Sequence, residues 1–414
     1  MEQSGYPLGN LGDVSMLKTA VQRLGKLSPH GEIKVFTSAP EKLAQFCPQA
    51  LPLSLSGRTI WYLPIIGSFY KLFSLPQQQQ WWLKEWQFRQ KYPRLAASLL
   101  QLKLKFRPQQ TQDLQQFLDA IYNADLVVAS GGGYINDSFP ELASTVLGIL
   151  AMAQKLGKPT VMLGHGVGPL KIPYLRSQAQ QILPNVSLIT LREKRASLPF
   201  LESLGVSSQR IVTTGDEAIE SAYTARQEEL GWGIGVNLRV AHYADVSKEM
   251  IAQVRCAVQS VAEEKQAKLI PVPISQYDGD AQTIKQLLMG YDNDSDGGSV
   301  WQTPEEIIAE VGKCRVVVTG SYHAGVFALS QGIPVIGLAK SPYYQDKFLG
   351  LADQFRVGCE VLFLNDGDLL PKLIAAINQA WESAPELRQP LLKAAQQQIS
   401  LSRAAYEKIV DLFS

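Results

Sequence analysis

Histidine and cysteine are scarce: this chain of 414 residues has four of each. Cys47, Cys256, Cys314 and Cys359 lie far apart, and no two form a Cys-x-x-Cys pair. That excludes a disulfide frame or a zinc knuckle and fits buried thiols of a reducing compartment. No group of His, Cys and carboxylates shows ligand spacing, so neither a metal nor a resident cofactor is expected. There is no run of about 18 uninterrupted apolar residues, which a membrane-spanning helix requires. The opening MEQSGYPLGN has no basic stretch followed by an apolar one, so no secretory leader is expected. Net charge is +1. The molecule as a whole is therefore not built to hold a polyanion, and nucleic acid is not an expected partner. The expectation is a cytoplasmic protein.

What is present is a 46% hydrophobic chain, too long for one ordinary core and suited to two domains. Short β-branched runs occur at 32–38, 125–130, 159–164, 186–191 and 210–215. A second set occurs at 232–238, 267–274, 314–320 and 333–339. Most are continuously apolar, the pattern of parallel strands covered on both faces. Helical stretches at 139–156, 194–204, 247–266 and 368–382 alternate with them. The fold class expected is α/β, with two doubly wound parallel-sheet domains. The polar stretch TARQEELGWG (224–233) divides the two sets. The domains are thus expected at 1–228 and 229–414, with a last helix at about 388–412 packing back on the first domain.

One segment differs in composition. Residues 58–107 hold four of the seven tryptophans (Trp61, Trp81, Trp82, Trp86) and nine Lys or Arg against one acid, Glu85, a local charge of +8. Basic and aromatic residues together suit a helix lying at an anionic bilayer surface. They also suit a helical insertion whose aromatics pack inward and whose charges are solvated.

Ligands of open parallel sheets bind beyond the carboxyl ends of the strands, and four such loops stand out. ASGGGYIND (129–137) brings three glycines to a strand end, either for backbone approach to a ligand or for a tight turn. In LGHGVGPLKIP (163–173), His165 between two glycines reads as ligand-facing or as a bridge between loops. In ITLREKRAS (189–197), Arg192 directly follows a strand, where its planar fork suits phosphate or carboxylate, or a neighbouring acid. In VVVTGSYHAGVFALSQGIPVIGL (316–338), Ser321 has the position of an N-cap and His323 opens a helix. That turn offers free backbone N–H groups to an anion and a histidine whose pKa the helix dipole depresses.

Taken in order, these loops resemble the polysaccharide pyruvyl transferase family. GNLGDVSML (9–17) matches its opening Asn-x-Gly-Asp turn. GGGYIND, HGVGP, Arg192 with Ser197, and TGDEA (214–218) follow, then IGVNLR (234–239), IPVPIS (270–275), YHAGVFALSQGIPVIGL and YYQDKF (343–348). The resemblance implies two Rossmann-like domains facing a cleft, as in GT-B glycosyltransferases. It implies transfer of a pyruvyl group from phosphoenolpyruvate to two hydroxyls of a nucleotide- or lipid-linked sugar, giving a cyclic ketal in cell-surface polysaccharide synthesis. It makes His323 the general acid and Asp216 a base, a loop-orienting group or a helix cap. Arg192 and Arg239 become donor-anion ligands with Ser321 and Lys347. Asn10, Asp13, Gly132, Asp137 and His165 line the acceptor side.

Two departures matter. Many members carry arginine two residues before the histidine, where this chain has Ser321, so Lys340, Lys347 or backbone amides are expected to hold the donor. A strand usually precedes the Asn-x-Gly-Asp turn; only Met1 to Leu8 do so here, and an upstream start is the expectation. Two other readings stay open: a GT-B glycosyltransferase using a nucleotide sugar, and an inert glycan-binding homologue.

Overall fold

The computed structural model describes residues 1–65, 75–239 and 246–412. The first half holds β1 (Ile33–Phe36), β2 (Ala50–Leu53), β3 (Val127–Ala129), β4 (Gly132–Ile135), β5 (Thr160–Val167), β6 (Leu188–Leu191) and β7 (Ile211–Thr213). The second holds β8 (Gly233–Asn237), β9 (Lys268–Pro271), β10 (Cys314–Thr319), β11 (Val335–Ala339) and β12 (Cys359–Phe363). All strand pairs are parallel.

In the first half β1 pairs with β2, and β3, β5, β6 and β7 form one sheet in that order, with β4 also on β5. Residues Met1–Gln3 lie between these two groups. Phe36 N donates to Met1 O, Glu2 N to Val128 O, and Ser130 N to Glu2 O. Met1–Gln3 thus run as a short bridging segment between the two groups, with no apolar run to mark it.

The second sheet runs β12-β11-β10-β8-β9. The strand order reverses between β8 and β10, the place where such sheets leave a crevice for ligand. The expected continuous runs are covered on both faces. Val316 and Val318 join one buried cluster with Ile234 and Ile336, while Val317 faces another with Val335 and Phe327.

The reading of separate helices at 368–382 and 388–412 is corrected. One helix runs Leu369–Val410 with Pro385 and Pro390 inside it. A helical proline leaves a carbonyl four residues back without its donor. Trp381 O, the one freed by Pro385, accepts instead from Arg315 Nε at 2.9 Å. The helix begins on the second sheet's cluster, through Leu373, Ile377 and Trp381. It ends against the first sheet, where Tyr406 and Ile409 pack with Val161 and Leu163.

Within 58–107, Lys71 lies outside the described residues. Trp61 and Trp86 are buried. Arg89 is buried with Glu85 at 3.2 Å, and Arg58 with Glu2 at 2.9 Å. These groups pack inward, as an insertion requires. Among the described residues no helix is long and apolar enough to cross a membrane.

Candidate active site

The Asn-x-Gly-Asp turn is built for contact with the other half of the chain. Asn10 caps helix Leu11–Leu27, its Oδ1 accepting from Gly12 N at 3.1 Å and Asp13 N at 3.2 Å. Leu11 N donates to Ile274 O and Gln276 N to Gly9 O, each at 2.8 Å, so the turn is stitched to the segment following β9. A Cβ on Gly12 would stand 2.1 Å from His323 Cγ, so glycine is what lets the imidazole in.

After β10 the chain turns at Gly320 into helix Tyr322–Ser330. Ser321 is the N-cap by position, but its side chain makes no capping bond. Thr319 does the local work, accepting from Ser321 N at 2.8 Å and donating to Ser321 O at 3.1 Å. His323 is buried, and its Nε2 stands 3.7 Å from Asp216 Oδ2. Neither atom has a hydrogen-bond partner. Asp216 Oδ1 accepts from Ala218 N at 2.9 Å. One carboxylate oxygen therefore serves the turn before helix Ile219–Thr224, and the other faces the histidine.

Charge sets the protonation of this pair. Burial pushes the His323 pKa well below the ordinary imidazole value, and Arg192, Lys347 and Arg239 push it the same way. The ring is neutral at pH 7. Burial raises Asp216 to about 7 against the opposing field of Arg192. Asp13 is also raised by burial, opposed by a hydrogen bond from Ser4 and by Lys347 and Arg192. Lys347, on helix Pro342–Phe355, is driven well below the usual lysine value by burial and then by Arg192. Arg192, Arg239 and Lys347 thus bear on one buried cluster in which burial raises the acids and lowers His323 and Lys347.

Arg192 is buried, with its guanidinium 4.4 Å from the centre of the Tyr322 ring. A Cβ on Gly166 would stand 2.8 Å from Arg192 Nε, so the glycine after His165 is the arginine's berth. Arg239 is tied to Asp278 and, at 3.5 Å, to Asp280. These two carboxylates hold Arg239 on the second-half side of the cluster.

Four of the five acceptor-side candidates have contacts within the fold. His165 is fully buried, with Nε2 at 3.0 Å from Ala129 O and its ring against Tyr134. Burial lowers its pKa to about 4. It bridges β3 and β5. Asp137 is occupied by backbone: its oxygens accept from Lys171 N at 2.6 Å and Ile172 N at 3.2 Å. Gly132 is buried in β4 at φ 152°, where a side chain would meet Ser4 and Tyr134; it shapes the strand end. Asn10 is likewise spent on its cap, leaving Asp13 facing the cations.

Two of the molecule's cavities adjoin these residues. A cavity of about 30 Å³ opens between Gly166, Gly168, Arg192, Glu193 and Lys347. A larger one of about 660 Å³ lies beyond the Asn-x-Gly-Asp turn, lined by Leu11, Ser275, Tyr277, Asp280 and Trp301.

The family model for polysaccharide pyruvyl transferase matches residues 10–342, from the Asn10 cap past the His323 helix. The chain belongs to the polysaccharide pyruvyl transferase family. It is similar to the amylovoran biosynthesis protein AmsJ of Erwinia amylovora, at 22% identity over 317 residues, 69% of this chain and 72% of that protein. In fold it is similar to a putative UDP-N-acetylglucosamine 2-epimerase from Listeria monocytogenes (TM-score 0.56, 15% identity, 99% of this chain and 94% of that one). It is also similar to Anabaena Alr3699/HepE solved with UDP (TM-score 0.53, 11% identity, 99% and 98%). The fold is GT-B-like.

Among residues of this family member that no sequence motif singled out, Asp280 stands out. Its Oδ2 accepts from Asn237 Nδ2, Ile274 N and Ser275 N at 2.9–3.1 Å, fixing the β8 and β9 loops against each other. The stretch SQYDGD reads as a plain turn; its nearness to β8 in a parallel pair was the available signal.

Proposed function

We propose that this family member transfers a pyruvyl group from phosphoenolpyruvate to two hydroxyls of a sugar, forming a cyclic ketal during exopolysaccharide assembly in the cytoplasm. The observation that carries the reading is the pair His323 and Asp216. Both have unpartnered polar atoms, they stand 3.7 Å apart, and three cations bear on the histidine. The donor has a phosphate and a carboxylate, so Arg192 and Lys347 are the groups suited to it. Lys347 supplies the positive charge that the family places two residues before the histidine.

Binding that anion offsets the cation field, and His323 regains its basicity and takes a proton. The imidazolium then protonates the donor's methylene carbon, and the carbon bearing phosphate becomes electrophilic. One sugar hydroxyl attacks it, the C–O bond to phosphate breaks, and a second hydroxyl closes the ketal. Two hydroxyl protons are released. One replaces the proton spent on the methyl group, and the other leaves with phosphate. Asp216, which ionises near neutrality, is the relay for these protons. The acceptor is a nucleotide- or lipid-linked sugar, and the cavity beside Tyr277 and Trp301 is the place we assign to it.

A nucleotide-sugar glycosyltransferase shares the fold and needs a late carboxylate for the donor ribose. Of the late acids, Asp353 pairs with Arg195 at 3.1 Å, and Asp346 lines the small cavity beside Arg192. The test is mass spectrometry of sugar acceptors incubated with phosphoenolpyruvate or with nucleotide sugars. A ketal adduct that needs phosphoenolpyruvate supports the proposal. A glycosyl adduct from the nucleotide sugar alone overturns it.

A further inference from the structure

Helix Pro93–Lys103 buries Pro93, Ala96, Ala97 and Leu100, with Leu104 just beyond. Its opposite face carries Leu95 (52% exposed), Leu99 (36%) and Leu102 (69%), and the turn after it carries Phe106 (89%). The spacing of four and three residues places the three leucines in one stripe along the helix, with Phe106 in the turn just past its end. A row of leucines ending in a nearly bare phenylalanine is not an ordinary surface of a soluble protein.

The flanks are cationic. Lys91, Arg94, Lys103, Lys105 and Arg107 are all exposed, and no acid occurs between Glu85 and Asp113. Lys91 and Lys105 lie over the neighbouring rings of Tyr92 and Phe106, at 5.3 and 5.8 Å from their centres. Two other cations of the segment, Arg58 and Arg89, are buried and paired with Glu2 and Glu85, whereas Lys91, Arg94, Lys103, Lys105 and Arg107 border the stripe unburied.

We infer that the Leu95–Leu99–Leu102–Phe106 stripe is a docking surface for an anionic lipid bilayer. The apolar side chains enter the acyl boundary, and the bordering Lys and Arg reach phosphate headgroups. Charge complementarity selects this occupant. A bilayer accepts isolated leucines on a convex helix and long cations on both sides. This inference rests on the surface alone and not on the reaction proposed above.

The test is co-sedimentation of the full chain with vesicles of phosphatidylcholine alone and of phosphatidylcholine mixed with phosphatidylglycerol. The expected result is retention on the mixed vesicles that falls with salt. It should drop about 100-fold in Lys91→Gln/Arg94→Gln/Lys105→Gln, at roughly one headgroup contact per charge, and at least about 10-fold in Leu102→Ser/Phe106→Ser. All five side chains are exposed, so melting temperatures should match wild type. Absence of wild-type retention on either vesicle overturns the inference, as does retention that the variants leave unchanged. A wild-type dimer in size-exclusion chromatography that Leu102→Ser dissolves would assign the stripe to a second copy and also overturn it.

Discussion

Gly12 and His323 lie more than three hundred positions apart in sequence, yet no methyl group fits between them: a Cβ on Gly12 would stand 2.1 Å from His323 Cγ. The turn of the first half thus sets where the histidine of the second half can stand. Gly12→Ala must displace the ring or the turn by more than an ångström. A misplacement of that size costs roughly 100-fold in turnover. The expected outcome is that loss in steady-state kinetics, with far-ultraviolet circular dichroism unchanged.

Asp216 gives a pH dependence of stability. Its folded pKa, about 7, lies above the ordinary carboxylate value. The folded state therefore holds a proton that the unfolded state has lost between about pH 4 and 7. Across that window this group subtracts stability as pH rises. Asp216→Asn should gain melting temperature over wild type at pH 8, and the gain should shrink toward pH 4. A difference that does not depend on pH would remove Asp216 as a buried, raised acid.

Donor binding should take up protons. His323 is neutral in the free protein because burial, Arg192 and Lys347 depress it. A bound phosphate and carboxylate reverse that field. Calorimetry of phosphoenolpyruvate binding near pH 7, in buffers of different ionisation enthalpy, should show net uptake. His323→Gln should reduce it.

Ser321 stands where many family members have arginine, and Lys347 is read here as the replacement. Lys347→Met should raise the donor Kd at least about 10-fold, the scale of one lost charge-assisted contact. Ser321→Arg alone should weaken the fold and not improve binding, because Arg192, Arg239 and Lys347 already crowd the site. In the Lys347→Met background the same arginine should recover donor binding. Failure of that rescue would separate the two positions.

Much of this architecture is legible in the sequence because buried parallel strands leave continuous apolar runs, as at 314–319 and 335–339. Strands β2, β4 and β12 escaped for a physical reason. Ala50–Leu53 is a short edge carrying Pro52, Gly132–Ile135 opens on glycines, and Cys359–Phe363 is a half-buried edge broken by Glu360, so none carries the apolar signature. The long last helix hides behind two prolines, and the carbonyl that Pro385 frees is met by a tertiary partner, Arg315, which no local pattern reveals. In the site, Arg192, Asp216, His323 and Lys347 could be read from strand ends and ordered motifs. His165 and Asp137 could not be told from ligand groups, because the partners that occupy them, Ala129 O and the Lys171–Ile172 backbone, are brought near only by sheet pairing and loop packing.

The most direct measurement of the central claim is phosphate release from phosphoenolpyruvate in the presence of nucleotide- and lipid-linked sugars, comparing wild type with His323→Ala. The account predicts release that requires both a sugar and His323. Release that proceeds equally without the histidine, or a protein that neither turns over nor binds phosphoenolpyruvate, would contradict it.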